Sequence, residues 1–282
     1  IALNGGMTCP NRDGKIGRGG CIFCSGMGSG DFAGSASFSI CEQLAAGKAA
    51  LQAKRPVHSY IAYFQAFTNT YAPVEYLEKI FTEAILDPDV RVLAVATRPD
   101  CLSHETVELL RRLNQIKPVW IELGLQTIHE ETASYIRRGY PLSCFEKACA
   151  DLRTLQIPII VHTILGLPGE SDTQVLQTIN YLNRISPFGI KLQLLHVLAD
   201  TDLAEDYVAG KFEVLTLDAY LDLVISCLAH LSPEIVIHRV TGDGPKDLLI
   251  APKWSLDKRG VLNALHHRMK KQGIRQGDLY QI

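Results

Sequence analysis

The 282-residue sequence lacks several features that mark whole classes of protein. No apolar run approaches the ~20 residues that a membrane-spanning helix needs. The most apolar stretch, residues 157–167, is interrupted by Pro158 and His162. The sequence shows no internal repeat, low-complexity segment or signal peptide, and we expect no membrane partner. Because the chain begins at Ile1, we expect further residues upstream.

An excess of charge of either sign is also missing. The chain has 28 lysines and arginines against 30 aspartates and glutamates, which gives a formal net charge of −2. This balance excludes a protein that is cationic over its whole surface, although it allows a local basic patch. With 47% hydrophobic residues the chain can bury a large core, and this composition excludes disorder, collagen and a coiled coil.

Cysteine, by contrast, is plentiful, with eight residues. Three of them, Cys9, Cys21 and Cys24, lie in a glycine-rich segment, residues 1–40, which predicts a long ordered loop. Without secretory features, such cysteines indicate metal ligands or reduced thiols, and therefore a reducing cytoplasm. Three thiolates can leave one iron of a [4Fe–4S] cluster open, whereas Cys41 as a fourth ligand would close a zinc site. The spacing alone leaves both possibilities open.

Beyond residue 40, short apolar strands alternate with helices, which predicts βαβ units and a parallel sheet. The strands are expected at residues 59–67, 90–96, 119–125, 157–165, 190–197 and 235–240. The helices are expected at residues 41–55, 73–86, 103–114, 130–136, 142–155, 171–185 and 217–231. Because a closed barrel needs eight units, we predict an α/β fold of the partial (β/α)6 TIM-like barrel type. The barrel would span residues 1–231, and residues 232–282 would form a C-terminal extension.

The extension is expected to carry a basic tail. Between residues 253 and 275, seven lysines and arginines stand against one acid, Asp257. One interpretation is a phosphate-binding surface for a nucleic acid. The other is a solvated amphipathic helix with Leu262, Leu265 and Met269 on its inner side.

The cysteine loop resembles that of radical S-adenosylmethionine (SAM) enzymes, which also carry an aromatic residue before the last cysteine, here Phe23. Two motifs resemble those of the small bacterial family of the YhcC and YtqA type. They are Cys-Pro-Asn-Arg-Asp-Gly, which begins at Cys9, and Gly-Gly-Cys-Ile-Phe-Cys-Ser, which begins at Gly19. This family is related to the Elongator catalytic subunit. Further matching words begin at Thr97, Glu122, Arg138, Gly166 and His238. The resemblance covers nearly the whole chain.

The resemblance implies two cofactors, a [4Fe–4S] cluster held by Cys9, Cys21 and Cys24, and S-adenosylmethionine. It implies reductive cleavage of that cofactor to a 5′-deoxyadenosyl radical, with the electron coming from a donor of the flavodoxin or ferredoxin type. It further implies tRNA as substrate, and conversion of a wobble-uridine carboxymethylaminomethyl group to aminomethyl. The alternatives are a radical enzyme acting on a small metabolite or tetrapyrrole, and a zinc-stabilised nucleic-acid-binding module without catalysis.

The resemblance also assigns site residues. The expected cofactor-binding residues are Phe23, Gln65, Asn69, Glu122, Gln126, Arg138, His162 and Gly166. The expected catalytic or substrate-side residues are Cys101, His196, His238, Arg239 and Asp243. Gln126 follows a strand, where polar residues of a barrel usually face the site, and the guanidinium of Arg138 suits a carboxylate. The plain alternatives are a surface glutamine at Gln126, a helix-end arginine at Arg138 and a core histidine at His162.

Three positions depart from the pattern of the related enzymes. Those relatives have a Gly-Gly word after the second strand, where this chain has the segment between Gln65 and Asn69. They have a glutamate at the position of Ala96 and a carboxylate at the position of His162. We therefore expect backbone carbonyls, assisted by Gln65 and Asn69, to take over the role of the Gly-Gly word.

Overall fold

Strands and helices alternate along most of the chain, and the computed structural model describes residues 1–281. The parallel strands are β1 (Ala2–Leu3), β2 (Tyr60–Phe64), β3 (Val90–Thr97), β4 (Val119–Gln126), β5 (Ile159–Leu165), β6 (Gly189–Leu194) and β8 (Val236–Arg239). Two short strands, β7 (Val197–Leu198) and β9 (Leu249–Ala251), pair antiparallel to each other. The architecture is therefore α/β with parallel strands, as the alternation predicts.

The helices lie between these strands. Their bounds are α1 (Ile40–Gln52), α2 (Val74–Ile85), α3 (His104–Asn114), α4 (Glu130–Tyr135), α5 (Leu142–Thr154), α6 (Asp172–Ile185), α7 (Asp202–Val208), α8 (Leu217–His230) and α9 (Lys258–Gln272). Several begin where a side chain satisfies a free backbone N–H group. Ser103, for example, accepts a hydrogen bond from the Thr106 N–H, and Ser171 forms a capping box with Gln174. Within residues 1–281, no helix is both long and apolar enough to cross a membrane.

The chain forms two compact units. The first unit comprises residues 1–20, 26–124 and 140–159, and its strands follow the order β1-β2-β3-β4, all parallel. Its core is apolar, with Phe64 of β2 packed edge-on against Phe81 of α2 at 4.9 Å between ring centres. β3 is buried along almost its whole length, as expected for a parallel strand covered on both faces.

The second unit comprises residues 21–25, 125–139 and those from residue 160 onward. Its strands follow the order β5-β6-β8, all parallel. The segment after α9 returns to α8, because the Gly277 N–H donates to Leu228 O at 3.1 Å and the Leu279 N–H donates to Ala229 O at 2.8 Å. The C-terminal residues are thus tied to the carboxyl end of α8.

The predicted strands and helices are confirmed to within a few residues at their ends. One difference concerns the strand expected at residues 190–197, which ends at Leu194 and is followed by the separate strand β7. No sequence pattern predicted β1, α7 and β9, which are all short. The domain boundary after residue 231 stays a prediction, and β8 beyond it pairs in parallel with β6.

Candidate active site

The glycine-rich loop of the first unit is folded tightly around Cys9. The Arg12 N–H donates to the Cys9 carbonyl at 2.8 Å, and the Gly20 N–H donates to Asn11 O at 2.8 Å. These bonds close the long segment that precedes Cys21 into an ordered loop. The Cys9 backbone is therefore fixed by local hydrogen bonds rather than by a helix or strand.

Gln65, at the carboxyl end of β2, is bonded to the same glycine-rich segment. Its Nε2 donates to the Ser29 carbonyl at 2.8 Å, and its own N–H donates to Leu3 O at 3.2 Å. The amide thus ties the end of β2 to the loop. Its expected contact with the cofactor stays a prediction.

Cys21 and Cys24 lie in a turn of the second unit, where the Cys24 N–H donates to Cys21 O at 3.0 Å. The turn is anchored through Ile22, whose N–H donates to Ile136 O at 3.2 Å and whose carbonyl accepts from Leu203 N–H at 2.9 Å. Phe23 packs against the surrounding apolar cluster, which includes Ile22, Ile136, Leu167, Leu195, Val197 and Leu203. Packing in this cluster is the role of Phe23 that the structure shows.

All eight cysteines are free thiols, and Cys9, Cys21 and Cys24 are partly exposed. Within residues 1–281, no three histidine, cysteine or carboxylate side chains stand together as a complete metal site. Cys41 is a poor fourth ligand, because its thiol pKa is raised by a hydrogen bond with Glu83, and a metal requires the thiolate. The raised pKa therefore argues against Cys41 as a ligand, and the assignment of Cys9, Cys21 and Cys24 to a cluster stays a prediction.

Asn69 lies where the carboxyl ends of β2 and β3 meet, and it is fully buried. Its Nδ2 donates to Phe64 O at 3.0 Å and to Ala96 O at 2.9 Å. Its Oδ1 is buried without a hydrogen-bond partner. A buried acceptor without a donor is costly, so this oxygen fits a ligand that brings an N–H group, such as the amino group of an amino acid.

The register between β3 and β4 bears on the missing glutamate at Ala96. Ala96 pairs directly with Glu122, so the two side chains lie side by side on one face of the sheet. Glu122 is 4% exposed. Because neighbouring strands lie less than 5 Å apart, its backbone lies within that distance of position 96. A carboxylate is therefore present beside the position from which the related enzymes supply one.

Gln126 ends β4 in a strained backbone conformation. Its φ is 63°, and the Thr127 N–H donates to Leu125 O at 2.8 Å across it, which forms a three-residue γ-turn. Arg138 lies behind this turn and is 1% exposed. Its Nη1 donates to Leu125 O at 3.1 Å and to Thr127 O at 2.7 Å, and its Nη2 faces Glu130.

Arg138 thus clamps the two carbonyls on either side of Gln126. A non-glycine residue at positive φ costs free energy and persists only where its surroundings enforce it. The clamp supplies that enforcement and holds the backbone of the turn at Gln126. The structure places Arg138 as a positioning residue, and its expected contact with a carboxylate of the cofactor stays a prediction.

Thr127 extends the same network to the loop after β5. Its hydroxyl donates to the Glu170 carboxylate and accepts from the His129 N–H at 3.0 Å. Burial raises the pKa of Glu170, although hydrogen bonds from Thr127 and Thr132 oppose this change. A small cavity of about 10 Å³ lies here, lined by Gln126, Thr163, Ile164, Leu165, Glu170, Val175, Thr178 and Ile179.

Glu170→Gln is expected to flatten part of the pH dependence of stability. An unfolded glutamate ionises near pH 4.5, whereas burial delays ionisation in the folded protein. The contribution of Glu170 is therefore complete below pH 4.5 and is lost as the pH rises through the higher folded pKa. Urea unfolding from pH 4.5 to neutrality should show a smaller loss in the variant than in the wild type. Glu131→Gln, at an exposed glutamate, should behave like the wild type.

Gly166 and His162 lie on or just beyond β5. Gly166 has a φ of 82°, and a Cβ there would stand 3.0 Å from the Leu215 side chain, so the position requires glycine. His162 accepts a hydrogen bond at Nδ1 from Gln193 Nε2, at 3.1 Å. His162 is therefore a hydrogen-bonded histidine on a buried strand, and its cofactor contact stays a prediction.

Cys101 lies just after β3 in the first unit. Its carbonyl accepts from the Thr70 hydroxyl at 2.6 Å. Burial, together with the nearby Asp100 carboxylate, raises the thiol pKa to about 12. Cys101 is therefore protonated at neutral pH, so the geometry gives no support to a thiolate nucleophile there. Any substrate-side role for the thiol itself stays a prediction.

His196 follows β6 and is held by a residue far away in the sequence. Its Nε2 lies 3.1 Å from the Ser255 hydroxyl, which itself donates to Pro252 O at 2.8 Å. The hydroxyl therefore accepts from the imidazole N–H. Burial lowers the pKa of His196 to about 4, so the imidazole is neutral at physiological pH.

His196→Gln is expected to remove a loss of stability in mild acid. The unfolded histidine protonates near pH 6.5 and the folded one only near pH 4, so the wild type loses stability as the pH falls between these values. At about 1.4 kcal/mol per unit the loss is on the order of 3 kcal/mol. Urea unfolding at both ends of this window measures it. His104→Gln, at an exposed histidine, should retain the wild-type loss.

The remaining substrate-side candidates separate into two groups. Asp243 pairs with Arg239 at 3.5 Å and with Lys258 at 2.7 Å, so these charges stabilise the turn after β8. His238 instead stacks edge-on against Phe188, at 5.8 Å between ring centres. The structure thus brings Arg239 and Asp243 together, whereas the His238 ring packs against Phe188.

Several residues of this geometry were missed by the sequence analysis. Thr127 and Glu170 support the turn at Gln126, and Gln193 and Ser255 hold the two histidines. Glu170 ends the word that begins at Gly166, so its position in that word was an available signal. Ser255 lies 59 residues from His196, and no sequence spacing marks that contact.

Comparison with known proteins decides the family. The sequence matches the Radical SAM superfamily over residues 11–182 and the Radical SAM C-terminal domain over residues 187–271. The chain belongs to the Radical SAM superfamily. It is similar to the Bacillus subtilis protein YtqA, at 43% identity over 100% of this chain and 87% of YtqA. It is also 35% identical to Escherichia coli YhcC, over 97% of this chain and 88% of YhcC.

More distant relatives include the tRNA uridine(34) acetyltransferase of Methanocaldococcus jannaschii. It is 22% identical over 186 residues, which cover 65% of this chain and 33% of that protein. Among solved structures, Elp3 of Methanocaldococcus infernus matches with a TM-score of 0.73 at 18% identity, over 85% of this chain and 61% of Elp3. This likeness confirms the predicted partial TIM-like barrel fold class.

As a member of this superfamily, the chain is an enzyme whose cofactors are a [4Fe–4S] cluster and S-adenosylmethionine. Cys21 and Cys24 are partly exposed on one turn and suit two ligands of an iron–sulfur cluster, and the buried Oδ1 of Asn69 suits an amino group. Which residues hold each cofactor stays a prediction.

Proposed function

We propose that this radical SAM enzyme acts on tRNA and converts the carboxymethylaminomethyl group of a wobble uridine to aminomethyl. The observation that carries the proposal is the similarity to the tRNA uridine(34) acetyltransferase, which spans 186 residues of this chain. The matching radical SAM segment, residues 11–182, begins two residues after Cys9 and includes Cys21, Cys24 and the turn at Gln126. The reaction breaks the bond between the side-chain nitrogen and the carboxymethyl carbon and leaves the uridine ring unchanged. With S-adenosylmethionine as the two-electron oxidant and water as co-reactant, the carboxymethyl group would leave as glyoxylate.

In this proposal, Cys9, Cys21 and Cys24 hold the cluster. When bound, the reduced cluster supplies the electron that cleaves S-adenosylmethionine to the 5′-deoxyadenosyl radical. The chain's own residues bind, orient and exclude water. Asn69 accepts from the amino group, and Gln126, held by its clamp, presents a fixed amide at the end of β4. We propose that the electron comes from a donor of the flavodoxin or ferredoxin type. We also propose that the protein works in a reducing cytoplasm.

The first test is chemical. Protein purified without oxygen should contain about four irons and four sulfides per chain, and it should form 5′-deoxyadenosine when a reductant and S-adenosylmethionine are added. One zinc and no labile sulfide would instead identify a zinc-stabilised module without catalysis. A full cluster without cofactor cleavage would contradict the enzymatic proposal.

The second test concerns the substrate. Nucleosides of tRNA from a strain that lacks this protein should accumulate the carboxymethylaminomethyl form and lose the aminomethyl form. Purified enzyme should then restore the aminomethyl form on that tRNA. Unchanged tRNA nucleosides, with cofactor cleavage intact, would point to a small metabolite or tetrapyrrole as the substrate.

A further inference from the structure

Helix α9 and the residues after it form the most basic segment of the chain. Residues 258–277 contain six lysines and arginines and no aspartate or glutamate, although the whole chain carries a net charge of −2. Residues spaced by three, four, seven and eleven positions share one face of a helix. Exposed residues on one such line are Arg259, Asn263, His266 and Lys270, with His267 and Lys271 beside them. We call this set the basic stripe.

Two of the basic residues are committed to ion pairs and lie outside the stripe. Lys258 pairs with Asp243 at 2.7 Å. Arg268 pairs with Asp222 at 2.7 Å and also with Asp218, and so holds α9 against the start of α8. The structure therefore separates cations that stabilise the fold from those of the stripe.

The stripe cations have no such role in the fold. Arg259, Lys270 and Lys271 are exposed, and in the described part of the chain none of them forms an ion pair. With helix geometry, the line from Arg259 to Lys270 runs about 16 Å along the surface. An extended row of cations of this kind matches a polyanion rather than a single small anion.

The opposite face of α9 is already occupied. Val261 and Leu265 are each 3% exposed and pack into the protein. A helix that lies in a membrane interface buries its apolar face in lipid, and α9 has no such face to offer. A nucleic-acid backbone, which is recognised through charge alone, requires no apolar face.

The stripe also begins near the functional end of the second unit. Lys258, the first residue of α9, is bonded to Asp243, which lies in the turn just beyond β8. In parallel barrels the site lies at the carboxyl ends of the strands. A polyanion on the stripe therefore extends from the rim where those strands end.

We propose that the basic stripe binds the phosphodiester backbone of the RNA substrate. This proposal rests on the proposed function and adds the surface through which the tRNA is held. The contacts are charge-based, so they position the RNA without reading its sequence. The uridine itself is recognised elsewhere, at the carboxyl ends of the strands.

The test measures the affinity for tRNA at several salt concentrations. It compares the full-length wild type with a variant that combines Lys270→Glu and Lys271→Glu. Each phosphate contact that is lost should reduce the log–log salt slope by about 1. We expect the slope to fall by up to about 2 and the affinity at low salt to fall by about tenfold or more. Formation of 5′-deoxyadenosine without tRNA should match the wild type.

The matched control combines Lys54→Glu with Arg55→Glu, an exposed basic pair after α1, with the same change of charge. It should keep the wild-type salt slope. Equal weakening by both double variants, or an unchanged slope in the stripe variant, would overturn the stripe while leaving the tRNA function intact. Wild-type protein that binds phosphatidylserine vesicles but not tRNA would overturn both. Thermal unfolding of each variant checks that the fold is retained.

Discussion

Replacing Cys21 or Cys24 with alanine is expected to abolish the iron–sulfur cluster and, with it, cofactor cleavage. The two thiols project from one turn, fixed by the Cys24 N–H bond to Cys21 O at 3.0 Å, so neither can be replaced by a neighbour. Because the cofactor carries the difficult chemistry, formation of 5′-deoxyadenosine should fall by about 100-fold or more. Iron and sulfide analysis, with the visible absorbance of the cluster, measures the loss directly.

Cys41→Ala is the matched control for these variants. Cys41 lies exposed in the first turn of α1, where its backbone N–H donates to the Glu83 carboxylate of α2 at 2.8 Å. Its replacement should leave iron, sulfide and cofactor cleavage at wild-type levels. If Cys41→Ala lost its metal as completely as Cys21→Ala, a centre with four thiolates would replace the proposed one with three.

Replacing Arg138 with methionine is expected to destabilise the protein strongly. The substitution leaves Leu125 O and Thr127 O without their buried donor, at about 1–3 kcal/mol for each group. The lost ion pair with Glu130, whose side chain is 57% exposed, adds little, so we expect a total loss of about 2–6 kcal/mol. Urea unfolding should show this loss, whereas Arg137→Met, at a half-exposed arginine paired with Asp202, should cost about 1 kcal/mol or less.

The conservative variant Arg138→Lys separates positioning from direct binding. If Arg138 acts by fixing the turn at Gln126, then Arg138→Lys and Gln126→Ala weaken the same interaction with S-adenosylmethionine. Their effects on its dissociation constant should then be less than additive in a double-mutant cycle. Fully additive effects would contradict the positioning role and favour a separate contact between Arg138 and the cofactor.

The fold was largely predictable because its elements are local and periodic. The apolar run of β5 and the serine caps of α3 and α6 each identify an element from a few adjacent residues. The short strands β1 and β9 carry no such pattern, because they contain two and three residues and owe their conformation to their partners. Sequence periodicity therefore identifies the long elements and misses those that depend on pairing.

The candidate site was predictable in residue type but not in arrangement. The guanidinium of Arg138 indicated a carboxylate of the cofactor as its partner, which stays a prediction, and the structure adds its contacts with two backbone carbonyls and Glu130. The alanine at position 96 appeared to remove a carboxylate, but the strand register places Glu122 beside it. Both outcomes depend on contacts between residues that are distant in the sequence, which no local pattern reveals.

In the basic tail, too, the residue types were predictable from the sequence and their arrangement was not. Composition identified an excess of cations there, and it could not separate Arg268, which is bonded to α8, from Lys270 on the exposed line. Arg268 and Lys270 are two positions apart, so their side chains leave the helix in directions that differ by about 200°. Only the packing of α9 decides which of them faces the protein.

The pairing of β8 with β6 has a consequence for the aggregation of a shortened chain. A break in the gene after residue 231 would leave β6 with an open edge of unpaired N–H and C=O groups, since Gly189 and Ile190 pair with Val236 and Ile237. Such an edge favours association with other chains. We therefore expect that a chain cut at that point would be prone to aggregate, because the C-terminal segment covers an edge of the sheet.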